Sequence, residues 1–219
     1  MNTGPVLGWE WLGHVPYRQA LAAQRARRDA ILAGQAGSTL WLLEHPPIVT
    51  EGRRAPPSPT PVAALAARGI DWERTERGGL ATYHGPGQLV GYLLCDLSTL
   101  GLGVRRTVEA LEQGLLDWLR SRGVPADRRP GYPGAWVGRA KIAAVGLHVL
   151  RQVSMHGFAL NLTVDLHPFS LIVPCGITDG EVTSLAALQP GAAPGPAEAA
   201  PSVASAVLGA LLARDGEGP

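Results

Sequence analysis

The feature that most constrains the fold is a long run of strand-forming residues in the second half of the chain. Residues 134–166 read GAWVGRAKIAAVGLHVLRQVSMHGFALNLTVDL, are rich in valine and leucine, and contain a turn at Gly138 to Ala140. Such a run predicts two or three antiparallel strands joined by tight turns. We therefore expect the fold to be built on a mixed or antiparallel sheet.

Helical and strand-like segments alternate in the first half of the chain. Residues 15–34 place apolar side chains at helical spacing, and residues 107–123, TVEALEQGLLDWLRSRG, form the clearest amphipathic helix, with Gly123 just past its end. STLWLLEHPP predicts a buried strand, TPVAALAARGI a short helix, and residues 71–100 a strand, a glycine-rich loop and a second strand. The predicted class is α+β (α/β), with a mixed, largely antiparallel sheet.

Length and composition predict one folding unit with a distinct tail. A chain of 219 residues that is 46% hydrophobic fits a single domain with a small appendage. We assign residues 1–188 to the domain. The segment 189–201, QPGAAPGPAEAAP, is typical of a linker, so residues 189–219 are predicted to be a Pro/Ala-rich linker and a short C-terminal helix that packs on the domain.

Several partners and locations are disfavoured by composition. The formal charge of +1 gives no reason to expect nucleic acid, although four arginine pairs are either solubilising surface or a patch for an acidic protein. We find no signal peptide and no apolar run approaching the ~20 residues that span a bilayer, so we expect no membrane association. Two cysteines make no disulfide framework or metal motif, which favours a reducing cytoplasm and no metal.

One cation stands apart from the rest. Of the 19 lysines and arginines, 18 are arginines, and Lys141 is the only lysine. An ammonium group can lose its proton when it is buried or crowded by charge, whereas a guanidinium keeps its proton at physiological pH. Lys141 is therefore a candidate proton carrier, with an ordinary surface lysine as the alternative.

Two other segments contain candidate catalytic or binding residues. Cys175 lies between a proline and a glycine in IVPCGITDGEVTSL, a turn setting in which backbone N–H groups can stabilise a thiolate, whereas Cys95 lies in an apolar strand. RGGLATYHGPGQ, residues 77–88, is glycine-rich but lacks the Lys-Ser/Thr of a phosphate-binding loop. It is typical of either a tight hairpin or a ligand cradle. His84 within it has either a structural or a ligand-facing role.

Five segments in order resemble one enzyme family. EHPPIVTEGRR, RGGLATYHGPGQLVGY, GYPGAWVGRAKIAAVGL, SMHGFALNL and FSLIVPCGITDGEVTSL are similar to motifs of the lipoyl(octanoyl) transferases, the octanoyl-acyl-carrier-protein:protein N-octanoyltransferases of lipoate biosynthesis. The resemblance implies a single catalytic domain of the biotin/lipoate protein ligase type. It also implies that octanoyl moves from acyl carrier protein to a cysteine thioester and then to a lysine of a lipoyl domain, without a cofactor.

The resemblance also assigns residues to roles. Cys175 falls on the family's nucleophile, and Lys141 on the lysine that lowers the thiol pKa and shuttles protons. The implied protein partners are octanoylated acyl carrier protein, the lipoyl domains of 2-oxoacid dehydrogenase E2 subunits and the glycine cleavage H protein. The acyl-binding segments fall on Arg77, Gly78, Gly79, Leu80, Ala81, Thr82, Tyr83 and His84, on Ala144, Val145 and Gly146, and on His156, Gly157, Phe158 and Ala159.

Three other functions are compatible with these residues. An ATP-dependent lipoate or biotin ligase would share the fold and need no cysteine nucleophile. A non-catalytic module would bind acyl carrier protein without becoming acylated. A thioesterase-like hydrolase would release the acyl group to water. Activity of a Cys175→Ala variant, and the fate of the acyl group, distinguish them.

Overall fold

A computed structural model describes residues 7–55, 61–172 and 180–213 of the chain. The helices of the described residues are α1 (Tyr17–Leu32), α2 (Val62–Ala66), α3 (Val104–Ser121), α4 (Leu185–Leu188) and α5 (Pro196–Leu212). Their strands are β1 (Gly8–His14), β2 (Thr39–Glu44), β3 (Ile48–Glu51), β4 (Asp71–Arg74), β5 (Ala81–His84), β6 (Gln88–Leu94), β7 (Gly134–Val137), β8 (Ala140–Leu150), β9 (Val153–Asn161) and β10 (Glu181–Val182).

The main sheet, within the described ranges, contains seven strands. They run in the order β1-β2-β6-β9-β8-β10, and β7 also pairs with β8. The β1–β2 and β8–β10 pairs are parallel and the others are antiparallel, which confirms the prediction of a mixed, largely antiparallel sheet. A smaller sheet, β4-β3-β5, stands beside it. The run 134–166 supplies β7, β8 and β9, as its sequence predicts.

Helices α3 and α5 cover one face of the main sheet. Their buried leucines, valines and alanines join the leucines of β2, β6 and β9 in the largest hydrophobic cluster. The two helices approach closely because α3 carries glycine at position 114, where a Cβ would lie 2.5 Å from the Cα of Val207. Trp118 of α3 also donates its indole N–H to the hydroxyl of Ser202 in α5, at 2.9 Å.

The opposite face of the main sheet is covered by α1. Tyr17 and Leu21 pack there with Leu94 and Met155, while Ala20 of the same helix packs with residues of β2, β6 and β9. Salt bridges tie α1 to the region of β4, from Arg18 to Glu73 and from Arg25 to Glu76. Among the described residues, no helix is both long and apolar enough to cross a membrane.

The tail departs from its prediction in one respect. Helix α5 begins at Pro196, inside the segment that the composition assigns to a linker, so the linker prediction was wrong for residues 196–201. The physical reason is local: proline is accommodated in the first turn of a helix, the AEAA run has high helix propensity, and Ala199 and Ala200 are fully buried in the main core. The tail therefore contributes to the same core as the sheet.

Candidate active site

A narrow slot lies on the face of the sheet that α1 covers. Its floor consists of small residues that are paired across two strands, with Ala144 opposite Ala159 and Gly146 opposite Gly157. Val90 and Tyr92 of β6 extend the floor sideways. The volume of the slot is about 60 Å³. Small side chains at four neighbouring positions leave room above the sheet where larger ones would fill it.

Residues 77–80, which we call the roof loop, close the slot from above. Gly78 donates its N–H to the carbonyl of Leu147 at 3.0 Å, so the loop crosses the edge of β8. A Cβ at Gly146 would lie 3.1 Å from the carbonyl oxygen of Gly78, which shows how tightly the loop meets the floor. Arg77 fixes the loop to the smaller sheet by donating to the Thr50 carbonyl at 2.6 Å.

The slot has a polar inner end made of buried rings. Tyr17, His84, Tyr92 and His156 line it, and His45 lies behind them. His45 donates through Nδ1 to the Val15 carbonyl at 2.6 Å, so its Nε2 accepts the Tyr92 hydroxyl, also at 2.6 Å. In the same way, His84 Nδ1 donates to the Gln88 side-chain oxygen at 2.7 Å. These bonds fix the tautomers of two of the rings.

All of these rings are uncharged at neutral pH. Burial lowers the pKa of His45 to about 4 and the pKa values of His84 and His156 to about 3. Burial likewise raises the pKa of Tyr17 to about 12 and the pKa of Tyr92 above its ordinary value. The inner end is therefore a neutral hydrogen-bonding environment rather than a charged one.

A wider cleft of about 620 Å³ lies on the other side of the roof loop. Gly78–Leu80, Val145 and Gly146 line both the slot and the cleft, so the two spaces share a wall. Val104 and Val108 of α3 and residues 131–133 form the far side of the cleft. The cleft also contains Lys141.

Lys141 is a buried side chain, so it is not an ordinary surface lysine. It lies in β8 between Trp136 of β7 and Val182 of β10 and is 6% exposed. Its Nζ is 5.1 Å from the centre of the Trp136 ring, and the guanidinium of Arg129 is 4.8 Å from the same ring. The side chains of Lys141 and Arg129 thus both lie near the same indole ring.

The candidate nucleophile, Cys175, lies outside the described residues. The chain that follows it returns beside Lys141, because Thr183 donates its N–H to the Lys141 carbonyl at 2.9 Å. Asn161 donates to the Thr183 carbonyl at 2.9 Å, and Gln88 donates to Asn161 at the same distance. Cys95 is fully buried, and burial raises the pKa of its thiol, which fits its predicted packing role.

The structure brings most of the predicted acyl-binding residues together. The slot is lined by Arg77, Gly78, Gly79, Leu80, Thr82, His84, Ala144, Val145, Gly146, His156, Gly157, Phe158 and Ala159. Ala81 and Tyr83 are not among its lining residues, since neighbouring side chains of β5 face opposite ways. Tyr83 instead packs against Phe169, with ring centres 5.4 Å apart.

Three lining residues were not anticipated from the sequence. Tyr17, Val90 and Tyr92 reach the slot from α1 and β6. Their sequence patterns are those of ordinary core positions, and only the packing of α1 on the sheet places them at a site. Among the residues that the structure describes, no group of three His, Cys, Asp or Glu side chains is arranged to hold a metal ion.

Comparison with known families agrees with this architecture. The model of the lipoyl protein ligase A/B catalytic domain matches residues 16–206, and the chain belongs to that family. Its relatives include an octanoyltransferase of Chloroflexus aggregans, 47% identical over 195 residues that cover 86% of this chain and 87% of the relative. Another is an octanoyltransferase of Acidobacterium capsulatum, 43% identical over 195 residues, 82% of this chain and 79% of the relative.

Solved structures confirm the expected fold type. A bipartite lipoate protein ligase from Thermoplasma acidophilum superposes with a TM-score of 0.65 at 16% identity, covering 94% of this chain and 81% of that one. The biotin protein ligase of Aquifex aeolicus gives a TM-score of 0.55 at 14% identity, covering 93% and 70%. At these identities the likeness establishes the biotin/lipoate ligase fold.

Proposed function

We propose that this chain transfers an octanoyl group from octanoyl-acyl carrier protein to a lysine of a lipoyl domain, through a thioester on Cys175. Within the lipoyl protein ligase A/B family, the relatives that are 43% and 47% identical to this chain are octanoyltransferases. The observation that carries the proposal is the shared wall between a small-residue slot and a cleft that contains the only lysine. In this arrangement the acyl chain occupies the slot, and its reacting carbonyl lies in the cleft near Lys141.

The lining of the slot suits an alkyl group. Alanines and glycines form its floor, and Val90, Val145 and Phe158 add apolar surface. Burying methylene groups there is favourable by about 0.8 kcal/mol each. The binding energy of a chain remote from the reacting carbon can then be used to orient that carbon.

The chemistry proceeds in two balanced steps. The Cys175 thiolate attacks the thioester carbonyl of the donor, the carbon–sulfur bond to the carrier breaks, and the carrier thiol leaves with a proton. The acceptor lysine amine then attacks the enzyme thioester, an amide forms, and the Cys175 thiol is restored as the amine loses a proton. No nucleotide is required, because the donor thioester is already activated.

Lys141 supplies the proton transfers in this proposal. It accepts the Cys175 proton, returns a proton to the departing carrier thiol, and later receives one from the attacking amine. An arginine at this position would retain its proton throughout. Support comes from the burial of Lys141 and from the segment after Cys175, which is hydrogen-bonded to the Lys141 backbone.

The rim of the cleft suits acidic carriers. Arg54 lines the cleft, Arg105 and Arg106 follow Val104, and Arg128 and Arg129 precede the lining residues 131–133. Three of the four arginine pairs thus contain a lining residue of the cleft or adjoin one closely in sequence. We propose that octanoylated acyl carrier protein docks there, followed by the lipoyl domains of 2-oxoacid dehydrogenase E2 subunits and the glycine cleavage H protein.

The direct test is the intact mass of the enzyme after incubation with octanoyl-acyl carrier protein. We expect one octanoyl adduct in the wild type and in Cys95→Ser, the matched control, and no adduct in Cys175→Ser. Adding a lipoyl domain should clear the adduct and increase the mass of the lipoyl domain by one octanoyl group.

Other outcomes would support the rival functions. Modification of the lipoyl domain by Cys175→Ala, with ATP and free octanoate required, would indicate a ligase. Binding of acyl carrier protein without an adduct in any variant would indicate a binding module. Clearance of the adduct to free octanoate without a lipoyl domain would indicate a hydrolase.

A further inference from the structure

The pairing of β7 with β8 is irregular beside Lys141. Ala135 is paired with Ala143, and a regular antiparallel ladder would then place Ile142 opposite Trp136. Instead Trp136 is paired with Lys141, so β8 carries one extra residue at this point, a β-bulge. Both Ile142 and Ala143 belong to the main core cluster, which fits an interrupted alternation. The bulge therefore puts an indole ring directly opposite the only lysine of the chain.

The indole is close enough to attract the Lys141 ammonium. The two side chains are 2% and 6% exposed, and Nζ lies over the Trp136 ring at 5.1 Å from its centre. Cation–π attraction operates within about 6 Å of a ring centre and is strongest for tryptophan. Among the residues that the structure describes, Lys141 forms no ion pair and no side-chain hydrogen bond. In that part of the chain, the ring is the group that attracts this ammonium.

An aromatic partner suits a lysine that has to exchange protons. A carboxylate within ion-pair distance strongly favours the protonated form of a buried amine. The face of an indole attracts an ammonium more weakly, by a factor of roughly ten to thirty when the pair is desolvated. The ring can therefore orient the amine without withholding its proton.

Trp136 is fixed in place behind Lys141. Its indole N–H donates to the Tyr132 carbonyl at 3.1 Å, and its backbone exchanges two hydrogen bonds with Asp127, at 2.8 and 2.9 Å. Lys141 lines the cleft, whereas Trp136 is not among the lining residues. Any effect of Trp136 on a substrate in the cleft is therefore transmitted through Lys141.

We propose that Trp136 is a positioning residue for Lys141. The β-bulge sets the indole opposite Lys141, and the ring holds the amine at the wall of the cleft, where the proton transfers take place. The proposal rests on the octanoyl-transfer function above. It also gives the bulge a purpose, since without it Ile142 would face the indole and Lys141 would be displaced along the strand.

Fluorinated tryptophans placed at Trp136 alone test the ring contact. Each fluorine withdraws electron density from the ring face and weakens its attraction for a cation, while the shape and the N–H group are kept. From mono- to trifluorinated tryptophan we expect kcat for octanoyl transfer to fall in steps, by about tenfold in all. KM for octanoyl-acyl carrier protein should stay within about threefold, because Trp136 does not line the cleft.

Two standard substitutions provide a second comparison. Trp136→Phe and Trp136→Leu both remove the indole N–H, but only the first keeps an aromatic face. We expect kcat to be about tenfold higher in Trp136→Phe than in Trp136→Leu at a temperature where both are folded, as checked by their unfolding midpoints.

Chemical labelling reads the same contact without relying on transfer. Because Lys141 is the only lysine, acetic anhydride can modify one side-chain amine, which peptide mass analysis separates from the N-terminus. At fixed pH we expect acetylation of Lys141 to be about tenfold faster with trifluorinated tryptophan at Trp136 than in the wild type, because the amine is no longer held at the ring.

Trp118 is the matched control for the fluorinated series. Its ring also has a cation over it, with the Arg122 guanidinium at 4.5 Å, and its N–H is bonded to Ser202 in the core. Fluorination there should change neither kcat nor the labelling of Lys141.

The outcomes separate this inference from the underlying function. Octanoyl transfer and labelling that stay constant across the Trp136 series would overturn the role of Trp136 and leave the octanoyltransferase intact. A fall in kcat that is equal in the Trp118 series would do the same, since it would reflect the stability of the fold. Absence of octanoyl transfer by the wild type would overturn the proposed function and the catalytic purpose of the contact, and labelling would still show whether the ring holds the amine.

Discussion

The two faces of β6, β9 and β8 differ in the size and polarity of their side chains. On the face covered by α3 and α5, which we call the helix-covered face, Leu89, Leu93 and Leu160 are fully buried. On the slot face, the same strands present alanines, glycines and buried polar rings. Strands that alternate every residue can serve both purposes within one stretch of chain.

The difference separates the core beneath α3 and α5 from the substrate space, which consists of the slot on the opposite face and the cleft beside α3. Large apolar side chains contribute most of the burial energy, and they are concentrated beneath the helices. Small side chains contribute little burial energy and leave space for a substrate. We therefore expect substitutions beneath the helices to change the free energy of unfolding, and substitutions around the slot and cleft to change the rate of transfer.

Lys141→Arg is expected to change the rate of transfer most while leaving the free energy of unfolding nearly unchanged. The charge is kept, so the fold should persist, but the proton transfers assigned to Lys141 are lost. General acid–base groups contribute about a hundredfold to ten-thousandfold, so kcat/KM should fall by at least about a hundredfold. The rate of octanoyl transfer and the thermal midpoint of unfolding are measured together.

The reciprocal exchange Arg139→Lys is the matched control for Lys141→Arg. It lies two residues away on the exposed turn before β8 and should leave both quantities unchanged. Near wild-type transfer by Lys141→Arg would remove the proton-shuttle role and, with it, the chemical reason for a single lysine.

The helix-covered face is tested by Leu115→Ala in α3. Leu115 is fully buried in the main core. Removing its side chain should lower the free energy of unfolding by about 2–5 kcal/mol, since both burial and packing are lost. Chemical denaturation gives the loss, and transfer is assayed at a temperature where the variant is folded. A kcat/KM more than about threefold below the wild type there would mean that the two faces are coupled.

The slot face is tested by Ala144→Leu, which adds volume to the floor. Ala144 lines the slot and is partly exposed, so the added atoms occupy substrate space and not core. We expect kcat/KM for octanoyl to fall about tenfold to a hundredfold, comparable with the discrimination of one or two methylene groups. A butanoyl donor should lose much less, and the unfolding midpoint should change little. Equal losses for both donors would place the acyl chain elsewhere.

Sequence and structure agree best where the pattern is local. The strand run 134–166, the helix 107–123 and the glycine-rich loop all have short-range signals that survive in the fold. The left-handed backbone of His156, with a φ of 60°, has no such signal, because it depends on Gln24 from a helix more than a hundred residues earlier. Tyr17 and Tyr92 were missed for the same reason, since tertiary packing alone brings them to the slot.

The buried histidines of the slot face predict a pH dependence that the helix-covered face lacks. His45, His84 and His156 have lowered pKa values in the folded protein, whereas unfolded histidine titrates near pH 6.5. Below that pH the unfolded chain binds more protons, so stability is full above about 6.5 and falls with acidification toward the folded pKa values. Each histidine contributes a slope of up to about 1.4 kcal/mol per pH unit.

Denaturation at pH 7.0, 5.5 and 4.5 measures this slope before most carboxylates titrate. His156→Asn should reduce the slope by the contribution of one histidine, while Leu115→Ala should shift the whole curve without changing the slope. An equal slope in the wild type and in His156→Asn would mean that the His156 ring is protonated in the folded protein.

The smallest effect is expected at the arginine rim of the cleft. Arg54 lines the cleft, and both Arg53 and Arg54 are exposed. Charge steering of an acidic carrier weakens with salt, because the screening length shortens from about 10 Å at 0.1 M. We expect the double variant Arg53→Gln/Arg54→Gln to raise KM for octanoyl-acyl carrier protein about threefold at low salt, and to lose that difference at high salt.

Two controls make the rim experiment specific. Arg151→Gln neutralises an exposed arginine in the turn after β8, ten positions along the chain from Lys141, and should leave KM unchanged. Octanoyl-pantetheine, which offers the same thioester without the protein, should react with the wild type and with the double variant at equal rates at every salt concentration. If KM for the carrier-bound donor did not change with salt, the arginines would act only as solubilising surface. The cleft would then recognise its donor through the thioester arm alone.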